Sequence, residues 1–198
     1  MYLMTYMTNH FITFGGGHEK YIDAGKRLVN QMRATGLFHD HELYTHIYLQ
    51  NDKEFWENHH EFIENNKRGY GYWIWKPYLI QKKLQQINED DILVYVDSGC
   101  ELNINGKKRL FEYIDMIDNN ENNYGLISFQ LNDCLEKVWT KKAIIEHFNL
   151  DNSILNSNQF ITGIIIIKKN HHSIKILNEW CKNMKYDLSN LQIVLLRR

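Results

Sequence analysis

Two stretches of this sequence gather side chains that bind anions and metal ions. The first is "GYGYWIWKP" at 69–77, which holds two tryptophans, two tyrosines, a lysine and the protein's single proline. Pro77 suits the first turn of a helix, where its missing N–H costs nothing. The residues before it then lie at the positive end of that helix, where free backbone N–H groups favour an anion such as a phosphate. Lys76 adds a full positive charge there, and Arg68 lies just upstream. The aromatic side chains, Tyr72 and Trp73 among them, have two uses open to them: stacking on a base or sugar, or packing in the core.

The second stretch is "LVYVDSGCE" at 93–101. Asp97 closes an apolar run and Ser98-Gly99 turns the chain, with Glu101 following four positions after Asp97. Carboxylates on either side of a tight turn, with carbonyls beside them, make the oxygen-rich surroundings that Mg²⁺ or Mn²⁺ prefers. An Asp that merely caps the turn, with Glu101 solvated, fits the same spacing. A third segment, "FGGGHEK" at 14–20, is glycine-rich after an apolar run. It matches neither the dinucleotide G-x-G-x-x-G pattern in its full context nor the P-loop pattern, which argues against a dehydrogenase or a P-loop NTPase. Its glycines either let the backbone approach a ligand or form a flexible turn.

The remaining metal-ligating residue types point to no site. The pairs His59-His60 and His171-His172 fall in helical patterns, where adjacent side chains diverge and do not share an ion. Cys100, Cys134 and Cys181 lie far apart in no C-x-x-C spacing, which implies reduced thiols in a cytosolic-type compartment.

The elements that must position these residues follow from periodicity. "HFITF" (10–14) reads as a first strand and 19–32 as a helix; "ELYTHIYLQ" (42–50) alternates as a half-buried strand does, and 52–66 returns to helical spacing. From Pro77 a helix runs to about Ile87, with Leu79, Ile80, Leu84 and Ile87 on one face. "DILVYVD" (91–97), "YGLISF" (124–129) and "FITGIIIIKK" (160–169) are nearly continuous in apolar residues, as central strands of a covered sheet are. Helical runs at 107–118, 139–149 and 171–184 fill the gaps, and the Asn-rich patches at 119–123 and 151–158 read as surface loops. The pattern predicts one α/β domain over 1–198, a mixed, mostly parallel central sheet flanked by helices.

Composition bounds the function. With Lys+Arg 23 against Asp+Glu 24 the net charge is −1, so no broad footprint for a nucleic-acid backbone exists and a nucleic-acid partner is not expected. No stretch approaches the roughly 18 apolar residues of a membrane span, and no basic leader precedes an apolar run at the N-terminus. A cytoplasmic location is the expectation.

Taken in order, "RGYGYWIWKPYLI" (68–80), "DDILVYVDSGCELN" (90–103), "EKVWTKK" (136–142) and "NQFITGIIIIKKN" (158–170) resemble a family of small glycosyltransferases of GT-A fold, found in bacterial polysaccharide clusters and large DNA viruses. The resemblance covers most of the chain up to about residue 183. It implies a GT-A-like (Rossmann-like) domain, a UDP- or GDP-sugar donor, a divalent cation (Mn²⁺ or Mg²⁺) and a glycan or glycoconjugate acceptor. Asp97 matches the first acid of the D-x-D motif usual in such enzymes, whereas the third position is Gly99; Glu101 is the expected substitute as second metal ligand. Lys76 would meet the donor phosphates, with Thr13, Phe14 and Gly15 near the nucleoside and Arg68, Tyr72, Trp73 and Ser98 completing the donor site.

Transfer to a hydroxyl by inversion calls for a carboxylate base, and Asp133 and Glu136 are the candidates, with His147 further along the next helix. Members of the resembled family usually continue past the helix that here contains "ILNEWCKNM" into a segment with histidine and aspartate. This chain instead finishes "KYDLSNLQIVLLRR", with Asp187 as the only acid, so its C-terminal end reads as shortened. The alternative expectation is therefore a catalytically defective relative that only binds nucleotide or glycan.

Overall fold

The computed structural model describes residues 7–119 and 124–194, with side chains as far as Met184. Most of the 119–123 patch, the side chains of the "KYDLSNLQIVLLRR" ending, Asp187 among them, and its last four residues altogether lie outside what is described. The elements run β1 (Asn9–Gly15), α1 (Glu19–Thr35), β2 (Asp40–Thr45), α2 (His46–Asn51), α3 (Lys53–Asn65), α4 (Gly69–Tyr72), α5 (Trp75–Gln86), β3 (Ile92–Val96) and α6 (Lys107–Asp118). They continue as β4 (Leu126–Ile127), β5 (Gln130–Leu135), α7 (Glu136–Trp139), α8 (Lys142–Phe148), α9 (Asn152–Leu155), β6 (Asn158–Phe160), β7 (Ile164–Lys168) and α10 (His171–Val194).

The central sheet has the order β2-β1-β3-β7-β4. β1 is parallel to both β2 and β3, and only β7 runs against its neighbours β3 and β4. The expected mixed, mostly parallel sheet flanked by helices is thus present. Alternation explains the two cores. In β1, Phe11 faces one layer and Ile12 the other; in β3, Val94 and Tyr95 divide the same way. On one side Ile12, Tyr95 and Ile165 meet Leu79, Ile80 and Leu84 of α5 and Leu177 of α10, while on the other Phe11, Val94 and Ile166 meet Leu28 and Met32 of α1 and Ile114 of α6.

The N-terminal end of the sheet is held by a buried polar network. Asp91, 1% exposed, accepts from Thr8 N at 2.8 Å and Asn88 N at 2.8 Å, and lies 3.3 Å from His10 Nε2. His10 Nδ1 sits 2.9 Å from Asp40, and Lys83 Nζ reaches Asp40 at 2.9 Å and Glu42 at 2.5 Å. Asp52 caps α3 at Phe55 N (3.2 Å) and also accepts from Tyr78 and Lys82, tying α3 to α5.

Four expectations are corrected. The predicted strand at 42–50 ends at Thr45 and becomes helix α2, with Tyr44 and Leu49 buried; its short apolar spacing served either element. The run 160–169 is broken at 161–163, where the chain leaves its pairing with β5 and begins its pairing with β3. Residues 124–129 contribute only the two-residue strand β4, and β5 follows in a separate two-stranded sheet whose first four residues are exposed and lack an apolar period. The 151–158 patch, read as loop, contains the short helix α9, capped by Asp151.

Burial pushes the carboxyls of Asp40, Asp52 and Asp91 up, but their hydrogen bonds outweigh it and hold all three below the usual aspartate value of 3.8. Groups with lowered folded-state pKa stabilise above their unfolded value and lose that contribution as pH falls through the folded value. Thermal melting between neutrality and acid should therefore show a flat midpoint down to about pH 5 and a steep fall below about pH 4.

Candidate functional site

The order 2-1-3 means that the chain leaves β1 toward one edge and returns on the other side at β3. A crevice opens at such a switch point beyond the carboxyl ends of the strands, the usual ligand position in open α/β sheets. A cavity of about 630 Å³ lies there, lined by Phe14, Gly16 and Gly17 after β1 and by Asp97, Ser98 and Gly99 after β3. His18, Lys20 and Tyr21 from the start of α1 and Lys67, Arg68, Gly69, Tyr70, Trp73 and Trp75 complete it. The glycine-rich turn is therefore part of the cavity, with Gly17 at φ +79°. It feeds the 17-residue helix α1, whose N-cap His18 accepts from Lys20 N at 3.1 Å.

The aromatic stretch has an unusual backbone. Gly69, Tyr70, Gly71, Tyr72 and Trp73 have φ of 59°, 53°, 81°, 49° and 61°, a single left-handed helical turn. Tyr72 N donates to Arg68 O at 2.8 Å and Trp73 N to Gly69 O at 3.1 Å, the i to i−4 pattern in mirror form. Left-handed backbone costs about 1–2 kcal/mol for each non-glycine residue, so tertiary contacts must hold it. Trp75 Nε1 donates to Gly69 O at 3.0 Å, and its indole stacks on Phe14 with ring centres 3.9 Å apart. The reversal of hand sends Tyr70 against Phe14 (5.9 Å) and leaves Trp73 40% exposed at the cavity, with the Arg68 guanidinium 5.9 Å from its ring. Both fates weighed for these aromatics occur: Trp75 is core, and Trp73 is cavity wall.

Asp97 is held from beneath. Lys76 Nζ, on a side chain 4% exposed, lies 2.8 Å from Asp97 Oδ1 and 3.1 Å from Oδ2, and donates to Thr162 O at 2.9 Å. The Tyr95 hydroxyl donates to Oδ1, and Asp97 N donates to Gly163 O at 2.8 Å. Burial, together with the neighbouring carboxylate, pushes the Tyr95 phenol well above its usual pKa, so it stays a donor. A Cβ on Gly163 would lie 3.2 Å from Asp97 Oδ2, which accounts for the glycine. Arg27 of α1 clamps the following turn by donating to Ser98 O (3.4 Å) and Cys100 O (2.9 Å).

Of the residues expected at the donor site, Phe14, Arg68, Trp73, Asp97 and Ser98 line the cavity. Thr13, Gly15, Tyr72 and Lys76 do not line it. Thr13 is fully buried and donates to Val96 O at 2.7 Å, joining β1 to β3. A Cβ on Gly15 would sit 2.4 Å from Tyr21 O, so this glycine serves the close approach of α1. Tyr72 packs near Phe62, with ring centres 6.4 Å apart. The ammonium of Lys76 is taken up by Asp97 and Thr162.

Glu101 is exposed and lines a different cavity, of about 270 Å³, beside α1 and α6. The two expected metal ligands are thus not assembled, and no group of three His, Cys, Asp or Glu suited to a metal occurs among the described residues. Asp97, with both oxygens engaged, and Glu101, in another cavity, do not fit a protein-built metal site. The expected bases also lie elsewhere. Asp133 is exposed at φ +63° in β5. Glu136 accepts from Thr140 and, at 3.0 Å, from Gln159. Lys20, Tyr21, Lys67 and Arg27 were missed and Tyr70 was not singled out; the glycine-rich stretch before Lys20 and the aromatic stretch that holds Tyr70 were the available signals.

Comparison with family models, curated proteins and solved structures gives no match.

Gly71 combines φ +81° with a Cβ position 2.6 Å from Ile63 Cγ1. Gly71→Ala should therefore destabilise by about 2–4 kcal/mol in urea unfolding, from backbone strain plus overpacking. Lys76→Met should cost about 1–2 kcal/mol, since Asp97 loses its charged donor but keeps access to water, and the double variant Lys76→Met/Asp97→Asn should be less destabilised than the sum of its single variants.

Proposed function

We propose that this chain is a GT-A-type glycosyltransferase that moves a sugar from a UDP- or GDP-sugar to a glycan hydroxyl. The observation that carries the reading is the composition of the switch-point cavity: three cationic side chains, Lys20, Lys67 and Arg68, exposed aromatic faces at Trp73 and Tyr21, and the carboxylate of Asp97. A flat exposed indole suits a nucleobase. Cations beside a glycine turn and the N-terminus of a long helix suit a diphosphate. A fixed carboxylate suits the hydroxyls of a sugar.

In this arrangement the base stacks on Trp73, and the phosphates lie over Gly16-Gly17 against Lys20, Lys67 and Arg68. The sugar then reaches Asp97, whose oxygens accept from its hydroxyls and fix its orientation. As the anomeric carbon loses its bond to the β-phosphate oxygen, the electron pair departs with the nucleoside diphosphate. The acceptor oxygen forms the new bond to the anomeric carbon, and its proton passes to water. The cations stabilise the charge that develops on the leaving phosphate, acting where they already stand. A second reading, a relative that binds nucleotide without transferring sugar, draws on one observation: Glu136, an expected base, is spent on Thr140 and Gln159.

Purified protein incubated with UDP- and GDP-sugars, with and without Mn²⁺, should release nucleoside diphosphate faster than a boiled control. Trp73→Ala should weaken nucleotide affinity by about 1–3 kcal/mol, the usual loss of one base–aromatic stack. Affinity without turnover would select the binding-only reading, and no affinity for either nucleotide would defeat both.

A further inference from the structure

We propose that the cavity holds the nucleoside diphosphate through its own cations, without a bridging divalent metal. This rests on the nucleotide-sugar reading of the same cavity. Asp97 is the acidic residue among those lining it, and its carboxylate is already neutralised. Lys76 Nζ spans both oxygens at 2.8 Å and 3.1 Å, and the Tyr95 hydroxyl holds Oδ1.

Lys76 cannot withdraw cheaply. Its side chain is 4% exposed, and the Thr162 carbonyl holds the ammonium from a second direction at 2.9 Å. A divalent ion brought to Asp97 would sit within a few ångströms of that buried ammonium, and the two positive charges would repel. Expelling Lys76 would strand its charge inside the protein. Among the described residues no second acid lines this cavity to offset the ion, and Glu101 lines the other one.

The rest of the wall supplies the charge a metal would otherwise bring. Lys20, Lys67 and Arg68 are all exposed at the cavity, and the Lys76–Asp97 pair contributes no net charge. Three cations exceed the one ionised oxygen on each phosphate of a nucleotide sugar. Lys67 and Arg68 sit on the residues that lead into the left-handed turn, while Lys20 belongs to the first turn of α1. The diphosphate is thus gripped from both sides of the crevice.

The test is titration of the full chain with UDP and with GDP, in EDTA and in Mn²⁺, read by Trp73 quenching and by calorimetry. The expected result is a Kd for at least one nucleotide that agrees within about threefold between the two conditions, with Lys20→Ala and Lys67→Ala each weakening it at least about tenfold. Both variants change exposed side chains, and unaltered melting temperatures establish that they fold. Affinity that rises by more than that threefold with Mn²⁺ overturns the inference and leaves the nucleotide reading standing. Metal-insensitive affinity untouched by both lysine variants overturns the assignment to these cations. No affinity for either nucleotide in either condition overturns the inference together with the reading it rests on.

Discussion

The ion pair between Lys76 and Asp97 is the constraint around which the upper half of the structure is arranged. A lysine 3% exposed on a helix has to find a carboxylate, and the one it finds is the residue that ends the central strand β3. That single contact fixes α5 against the sheet, and through the Thr162 carbonyl it also fixes the point where the chain passes from β6 to β7. Gly163 follows because a side chain there would crowd the same carboxylate. The strand end, the helix start and the 161–163 break are thus consequences of one buried charge.

The left-handed turn belongs to the same arrangement. For Lys76 to point under β3, Trp75 must face Phe14 and Pro77 must sit in the first turn of α5. Two glycines and three aromatics adopt the mirror conformation, each aromatic finding a different neighbour: Tyr70 on Phe14, Tyr72 near Phe62, Trp73 beside Arg68. The strain is local, and the packing that sustains it spans β1, α3 and α5. Strained backbone held by surrounding structure is characteristic of ligand-binding walls, and here it forms one side of the switch-point crevice.

Much of the fold was legible in the sequence because burial on both faces leaves unbroken apolar runs, as in "DILVYV" and "IIII", and because Glu19–Thr35 and Lys53–Asn65 carry a clear helical stripe. The failures have physical causes. At 42–50 a short apolar alternation suits a strand or a helix turn equally, and the chain uses both, with Tyr44 buried from the strand and Leu49 from the helix. β5 has no buried face to impose a period. The site was half legible. Asp97, Trp73 and Arg68 could be nominated from residue type and position, but spacing says nothing about which partner a charge will choose. Lys76 was read as facing a ligand because it lies at the start of a helix, where an anion is favoured, whereas its environment is set by Asp97 and Thr162, distant in sequence.

The two ends of the sheet divide stability from binding. At the amino end of the strands, His10, Asp40, Glu42, Lys83 and Asp91 are paired with one another, with Asp40 Oδ1 left buried without a hydrogen bond. At the carboxyl end the internal charges are paired off at Lys76 and Asp97, and the cations left over stand on the cavity wall. A carboxylate fixed by a buried counter-ion, as Asp97 is by Lys76, keeps its position without a ligand and would need no further ordering to meet one. Exposed lysines and arginine, by contrast, are held loosely and lose hydration and rotamer freedom only when an anion arrives. Rigid polar geometry beneath and adjustable charge above is the division that a site would need to grip a flexible diphosphate while holding an attached sugar in one orientation.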